Sequence, residues 1–341
     1  MPDGINVALI GVEPAGRIHA QNLAYRIPSA RLSLVVDADH EAAQRLAALY
    51  NVPRASGDYE EALADPNIEA VLVCTPAASQ AAICRQAALA RKHIFCEKPV
   101  SHSLAEIDEM LRTVDKAGVK FQVGFHRRFD ANFKRVREAV ASGEIGDPSL
   151  VHIISRDPAP PPLEYIRTSG GLFLDMSIQD FDMARYLLGA EVEEVFAMAG
   201  VRVDPRIGQV GDVDTAMIML RFTNGVIGSI DNSRRAVYGY DHRIEVFGSA
   251  GSIVTLNNYP NQAIVSGFAD VRRDLPLNSY MDRYTDSFVT ELSAFVDAIL
   301  RNAPVPVSGE DGRIAVVTAL AAGQSHREHR PVRLDEVLVG A

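Results

Sequence analysis

"INVALIGVEPAGRIHAQN", residues 5–22, decides how the first part of the chain is read. A short apolar run leads into a turn and a helix-like stretch follows, the order of strand, nucleotide-binding turn and helix. A dinucleotide fingerprint needs glycine at the first, third and sixth positions of that turn. Gly11 and Gly16 are present, and Glu13 stands where the middle glycine belongs. The first glycine permits the tight turn, the last lets the helix pack on the strand, and the middle one lets the backbone approach the pyrophosphate. Glu13 therefore puts a side chain and a negative charge beside an anion. Pro14 works in the other direction, since it fixes the entry to a helix whose N-terminus would face the pyrophosphate. Asp37 ends the next apolar run, "LVVDAD", about twenty residues on, where a carboxylate meets the ribose 2′-hydroxyl of NAD and repels the 2′-phosphate of NADP. A cap on the following helix is the other role open to Asp37. The turn is read as an NAD site weakened or repositioned by Glu13.

The pattern continues outward from this stretch. "NVALIG", "LSLVVD", "EAVLVCT", "HIFCE" and "KFQVGF" are short and rich in Val, Ile and Leu, as strands buried on both faces are. Ala-rich helical stretches lie between them, and "LAEIDEMLRTVDKAG" ends at Gly118, a helix stop. Such units build a doubly wound α/β domain, expected over residues 1–125. Its cofactor-facing set is Gly11, Glu13, Ala15, Gly16, Asp37, Thr75, Pro76, Glu97 and Lys98. From residue 126 to 341 the runs "LVHIISRD", "VEEVFAMAGVRV", "TAMIMLRF", "VIGSIDNS" and "HRIEVFG" have fewer helices between them. Asn224-Gly225 and "FGSAGSIV" are hairpin signals. This half is expected to be an α+β domain with an open, mostly antiparallel sheet, helices on one face, and one late helix in "SFVTELSAFVDAILRN". "RDPAPPPLEYI" is a rigid loop from sheet to helix.

A chain of 341 residues exceeds one ordinary core, in keeping with two domains. A net charge of -10 argues against nucleic acid as a partner, and no apolar run is long enough to span a membrane. The basic stretch "HRRFDANFKRVRE", residues 126–138, reads mainly as a solvated helix face. Cys74, Cys84 and Cys96 lie far apart without a C-x-x-C pair, which suggests reduced thiols in a cytoplasmic protein. "MPDGINVALIG" lacks the basic start of a signal peptide. The nine histidines show no metal-ligand spacing such as H-E-x-x-H, so no metal is expected.

Two stretches carry chemistry. In "CEKP", residues 96–99, Lys98 follows the carboxyl end of a strand and points toward a cofactor crevice, where an ammonium can polarise a hydroxyl or ketone. In "SGGLFLDMSIQDFDMARYLLG", residues 169–189, Asp175, Gln179, Asp182 and Tyr186 recur at helical spacing, so that part of the set shares a face. Phe173, Ile178, Phe181, Ala184 and Leu188 are placed to pack on the sheet. The paired glycines suggest close backbone approach to something.

Together with "SRDPAPPPLEYI" and "NSRRAVYGYDHRIEVFGSAG", these motifs resemble the glucose-fructose oxidoreductase/inositol dehydrogenase/rhizopine-catabolism family over nearly the whole chain, most of all its inositol 2-dehydrogenase branch. The resemblance implies a Rossmann domain, a substrate domain with an open-faced sheet, a homotetramer, and a cis bond before Pro99. It implies that Lys98 binds the reacting hydroxyl and shares in a proton relay, and that Asp175 works with a histidine four residues on. That position is Gln179 here, and glutamine takes no proton at neutral pH. His126 replaces the asparagine of the family's "GFNRRF", and His242 stands where the branch has glutamine. Arg127, Asp157, Tyr238, Tyr280 and His242 supply the donors and acceptors that hold a polyol, with Tyr280 also readable as part of a helix cap.

The activity expected is oxidation of a secondary hydroxyl of a cyclic polyol or sugar, an inositol above all, with NAD as hydride acceptor. The alternatives are a redox-neutral, NAD-dependent cleavage of glycosides and a catalytically altered paralogue that senses NAD or a sugar. Within the first reading, either Lys98 serves alone with Gln179 holding a substrate hydroxyl, or His126 has become the base. Under the second possibility His126→Asn abolishes turnover, and a wild-type rate in that variant discards it.

Overall fold

The structure, a computed structural model, describes residues 4–339; Met1–Asp3, the start of the amino-terminal stretch read above, and Gly340–Ala341 lie outside the described residues. The chain forms two compact units. The first runs to Phe129 and also takes in Asp286–Val316; the second comprises Asp130–Thr285 and the chain from Val317 on. The single cut expected after residue 125 is replaced by this threefold crossing. Its cause is the helix Thr285–Leu300, whose Leu292, Phe295 and Val296 are wholly buried among Val7, Leu9, Leu72 and Phe95 of the first unit. The pattern of "SFVTELSAFVDAIL" shows an apolar face, and nothing local says which sheet that face covers.

The first unit carries a parallel sheet of strands β1 (Ile5–Ile10), β2 (Ala30–Val36), β3 (Ala55–Ser56), β4 (Ala70–Val73), β5 (His93–Glu97) and β6 (Phe121–Gly124), in the order β3-β2-β1-β4-β5-β6. Each expected apolar run forms one of these strands, and β3, only two residues long, is additional. Every residue of β4 and β6 is buried, as continuous apolar runs in a covered parallel sheet require. The chain leaves β1 toward β2 and β3, then returns to pair β4 on the other side of β1. That reversal opens a crevice beyond the carboxyl ends of β1 and β4, where ligands of open α/β sheets bind. The helix Leu104–Ala117 starts where Ser103 accepts the Glu106 N–H and stops at Gly118, in the left-handed region at φ 66°.

The second unit carries a mixed sheet of β7 (Pro148–Arg156), β8 (Val192–Gly200), β9 (Thr215–Phe222), β10 (Ile227–Ser233), β11 (Asp241–Gly248), β12 (Gly251–Thr255) and β15 (Val332–Arg333), in the order β12-β11-β7-β10-β9-β8-β15. β7 and β10 run parallel and every other pairing is antiparallel. Both hairpins form where their turn residues stand: β9–β10 turns at Gly225 (φ 86°), and β11–β12 closes with Gly248 opposite Gly251. β13 (Ile264–Ser266) and β14 (Val271–Arg273) make a separate exposed ribbon. The basic stretch divides between the units: His126–Phe129 is one tight turn with His126 and Arg127 buried, and Ala131–Ala141 is a helix capped by Asp130. Among the described residues no helix is long and apolar enough to cross a membrane.

Asp214 anchors the approach to β9. Its buried carboxylate accepts the N–H groups of Arg202, Val203 and Asp204 at 2.7–3.0 Å and the Thr215 hydroxyl at 3.0 Å. Its own carbonyl takes the N–H of Arg234, at 2.9 Å. Burial raises the pKa of the Asp214 carboxyl, and those donors outweigh burial and hold it below the usual carboxylate range. A depressed carboxyl stabilises the fold above its unfolded pKa of about 3.9, and that stability is lost as pH falls through the lower folded value. Asp214→Asn is therefore expected to cost roughly 1–3 kcal/mol near neutrality. In urea unfolding its deficit against wild type should shrink as the pH drops below about 4; a deficit independent of pH would contradict the assignment.

Candidate active site

In the nucleotide-binding turn two glycines are geometrically obligatory. Gly11 has φ 101°, and a Cβ there would lie 2.5 Å from the Cys74 carbonyl oxygen. A Cβ on Gly16 would lie 2.1 Å from the Gly11 carbonyl oxygen, so helix Pro14–Tyr25 packs on the strand only without a side chain at 16. Position 13 differs. Glu13 has φ -58°, which any residue adopts, and it is exposed at the N-cap without a side-chain capping bond. Glycine at that position is a matter of space beside a phosphate rather than of backbone angle. Ala15 follows in the helix's first turn.

Asp37, half-buried at the end of β2, accepts the Val12 N–H through Oδ2 and the Asp39 N–H through Oδ1, both at 2.9 Å. It does not cap the next helix. Asp39 does, accepting the Ala42 N–H. Thr75 follows β4, its hydroxyl accepting from Ser79 at 2.9 Å, and Pro76 opens the helix Ala77–Leu89. The donor-rich turn, the free helix N-terminus and the carboxylate after β2 fit a dinucleotide.

Lys98 directly follows β5 and is half-buried, and the Lys98–Pro99 bond is cis. Glu97 is buried; its Oε1 accepts from His19 Nε2 at 2.8 Å. His126 comes just after β6 with its ring stacked on Phe288, centroids 4.3 Å apart, next to the buried Arg127. Sequence reasoning chose Glu97, Lys98 and His126 and passed over His19, a single histidine inside an ordinary amphipathic helix.

In the second unit Asp175 lies in a π-helical turn, Phe173–Ser177, that runs into the helix Ile178–Leu188. Such turns add a residue to the helical winding. Asp175 lies in this wider turn, and Gln179, Asp182 and Tyr186 follow in the regular helix. Gln179, Asp180 and Asp182 are buried, so this is no solvated acidic helix, and Phe173, Ile178, Phe181, Ala184 and Leu188 are buried as expected. Asn232 on β10, wholly buried, ties the helix to the sheet: it accepts the Ser177 hydroxyl at 2.6 Å and donates to Asp180 at 2.8 Å. Gln179 is held between those two ties.

The Asp175 carboxylate takes the Tyr165 hydroxyl at 2.7 Å on Oδ1 and the Arg234 guanidinium at 3.1 Å on Oδ2. Arg234 is 1% exposed, and its other nitrogen faces Asp212 at 3.6 Å. The paired glycines serve Asp212: its Oδ1 accepts the Leu172 N–H, and a Cβ on Gly171 would come within 2.8 Å of it. Burial, and then the charge and hydrogen bond of Asp175, push the Tyr165 phenol far up, so it acts as a donor to Asp175. Neither Tyr165 nor Arg234 stood out in sequence, although both lie within motifs that did, in "LEYI" and "NSRR".

Of the polyol-binding candidates, Tyr238 donates to Asp241 at 2.5 Å and accepts from Arg156 at 3.2 Å. Burial raises the Asp241 carboxyl, but Arg243, Tyr238 and Asn257 together bring it below its ordinary value. His242 is buried, stacked on Tyr240 at 3.9 Å and set edge-on to Tyr284. Asp157 continues from β7, its N–H bonded to Ser233. Tyr280 begins the short helix Tyr280–Arg283 that Ser279 caps. Asp175, Tyr165 and Arg234 thus form one group, and Tyr238, Asp241 and His242 a second.

Residues 5–125 match the model of an oxidoreductase family with an NAD-binding Rossmann fold, and residues 133–254 match the GFO/IDH/MocA C-terminal domain. The chain belongs to this family. It is 47% identical to the myo-inositol 2-dehydrogenase of Thermotoga maritima over 98% of its own length and all of that protein's, and 41% identical to the inositol 2-dehydrogenase of Rhizobium meliloti over 97% and 99%. Among solved structures it is similar to scyllo-inositol dehydrogenase from Lactobacillus casei with bound NAD(H) and scyllo-inositol, with a TM-score of 0.92 at 27% identity over 98% of this chain and all of that one. The Rossmann unit is an NAD-binding domain.

Arg234 is the sole guanidinium set between the Asp175 and Asp212 carboxylates among the described contacts. Arg234→Met is expected to lower unfolding free energy by about 3–5 kcal/mol, because it removes the guanidinium that faces two largely buried carboxylates. Arg234→Lys should recover only part of that, since an ammonium lacks the planar fork. Chemical denaturation of the two variants checks this; a loss under about 1 kcal/mol in the Met variant would contradict it.

Proposed function

We propose that this protein oxidises a secondary hydroxyl of a cyclic polyol, an inositol, with NAD as the hydride acceptor. The observation that carries the reading is full-length similarity to inositol 2-dehydrogenases at 47% and 41% identity, combined with Lys98 and Asp175 in the positions the resemblance assigns to chemistry. NAD supplies an electrophilic ring carbon that takes hydride from the carbinol carbon. Lys98 Nζ donates to the reacting hydroxyl oxygen and stabilises the negative charge that grows there as the proton leaves. Asp175, fixed as an acceptor by Tyr165 and Arg234, receives a substrate hydroxyl proton or hydrogen bond without having to reorient. Gln179 presents an amide that donates to one polyol oxygen and accepts from another. Arg127, Asp157, Tyr238, Tyr280 and His242 extend the polar lining, and His126 stands as the alternative base.

Asp37 selects NAD over NADP by charge, and Glu13 lowers affinity for the pyrophosphate. The protein works in the cytoplasm as a homotetramer. One support for assembly is the outer face of the second unit's sheet, where Leu150, Met198, Met217, Met219, Phe247 and Val254 are all more than two-fifths exposed on neighbouring strands. Apolar side chains exposed on a sheet face suit contact with a second copy of the same chain.

The purified protein, given NAD or NADP with inositol isomers and common aldoses, should form NADH with an inositol and favour NAD. Lys98→Met should lower kcat/KM by about 10²-fold or more. NAD binding without turnover of any inositol would overturn the proposal.

A further inference from the structure

His19, Glu97 and Glu291 meet inside the first unit, all buried, with one nitrogen or oxygen of each within 4.8 Å of the others. They come from helix Pro14–Tyr25, the end of β5 and helix Thr285–Leu300. His19 Nε2 and Glu97 Oε1 are directly hydrogen-bonded at 2.8 Å, and Glu97 Oε2 accepts the backbone N–H of Lys98 at 3.3 Å. Glu291 is 0% exposed, and neither of its carboxylate oxygens has a hydrogen-bond partner among the described residues. The surroundings are apolar: Phe95 and Phe288 set their rings edge-to-face on His19, at 5.0 and 5.8 Å, and Phe295 is wholly buried on the helix of Glu291.

Two carboxylates in such a place need a positive charge or a proton. No lysine or arginine appears among the groups acting on Glu291. The titratable groups facing it are Glu97 on β5, His19 on helix Pro14–Tyr25 and Cys74 after β4; from β6 comes the neutral Gln122, whose amide donates to the Glu291 carbonyl at 3.1 Å. His19 Nε2 is hydrogen-bonded to Glu97 Oε1, and its Nδ1 has no hydrogen-bond partner among the described residues. A cation on the three side chains would have to break the His19–Glu97 bond already made.

We propose that Glu291 holds a proton beside Glu97, and that this buried neutral acid positions the turn that bears Lys98. Glu97 then keeps both oxygens for its donors, His19 and the Lys98 N–H. The acid proton of Glu291 faces Glu97 across a distance that one water spans. Burial, and then the charge of Glu97, drive the Glu291 carboxyl far above its ordinary range. Ionisation of Glu291 would set a second negative charge against Glu97 and disturb the Lys98 turn. Glu97 and Glu291 are positioning residues in this account. Its link to turnover rests on the proposed dehydrogenase activity, while the buried proton does not.

The sign of the pH effect follows. A carboxyl whose folded pKa is raised binds a proton in the native state that the unfolded chain has lost above about pH 4.3, so stability falls as pH rises from there toward the folded value. Glu291→Gln keeps the shape and hydrogen-bonding capacity of the neutral acid and titrates nowhere in this range. Melting curves of the full-length protein should nearly coincide for wild type and Glu291→Gln at about pH 5, and the variant should melt higher by roughly 3 °C or more at about pH 8. Difference infrared spectra at neutral pH should show a protonated-carboxyl band in the wild type that the variant lacks. Where the protein turns over an inositol, the alkaline limb of the pH–rate profile should move upward in the variant.

Parallel melting curves with no carboxyl band would overturn the buried proton, as would a divalent metal found at one equivalent per chain by elemental analysis. Coincident pH–rate limbs would overturn the positioning role. The melting and infrared comparisons need no turnover, so failure of the dehydrogenase reading and failure of this inference are told apart. Should Glu291→Gln not fold, the wild-type infrared band, and its loss on alkaline titration, decide the matter.

Discussion

The first helix lies against the parallel sheet as closely as it does because residue 16 has no side chain. With the Gly11 carbonyl oxygen only 2.1 Å from where a Cβ would stand, any other residue pushes the helix outward. That contact sets the angle of the helix N-terminus over the turn and, one turn further on, brings His19 onto Glu97. The end of β5, and with it the Lys98 turn, is therefore tied to the nucleotide-binding turn through packing that starts at one glycine. Glu13 lies outside this constraint. It departs from the fingerprint at a position where the backbone angle is ordinary and the side chain is exposed.

The second unit depends on charge rather than on close approach. Arg234 is almost fully buried and faces the Asp175 and Asp212 carboxylates, while its own N–H is held by Asp214. Buried charges are tolerated when they have partners, and here Asp175 also takes the Tyr165 hydroxyl and Asp212 the Leu172 N–H. A carboxylate so held loses conformational freedom before any substrate arrives. The π-helical turn carries Asp175, and Tyr165 and Arg234 are among the neighbours hydrogen-bonded to it.

The readings that held were those that rest on local rules. Apolar runs became strands because continuous burial needs them, Gly118 and Gly225 stopped a helix and made a turn through their backbone angles, and Asp37 sits where the strand order puts a carboxylate beside the turn. Readings that failed involved partners distant in sequence. The late helix was assigned to the unit next to it in the chain, although its apolar face is buried in the other. His19, Glu291, Tyr165 and Arg234 carry no local signature, since a histidine, a glutamate or an arginine on a helix or strand end looks the same whether it is solvated or buried.

By itself the sequence determined the secondary elements, the Rossmann order of the first unit, the NAD-binding class and the residues that follow strand ends, because propensity, periodicity and turn chemistry act over a few residues. Only the tertiary structure decided which sheet the helix Thr285–Leu300 covers, which side chains hold Asp175, and that Glu291 lies buried beside Glu97. Those outcomes depend on burial and on polar side chains meeting across 78 residues of chain, as in His19 with Glu97, or 59, as in Asp175 with Arg234. The free energy of a charge is set by what surrounds it in space, and no local pattern encodes that.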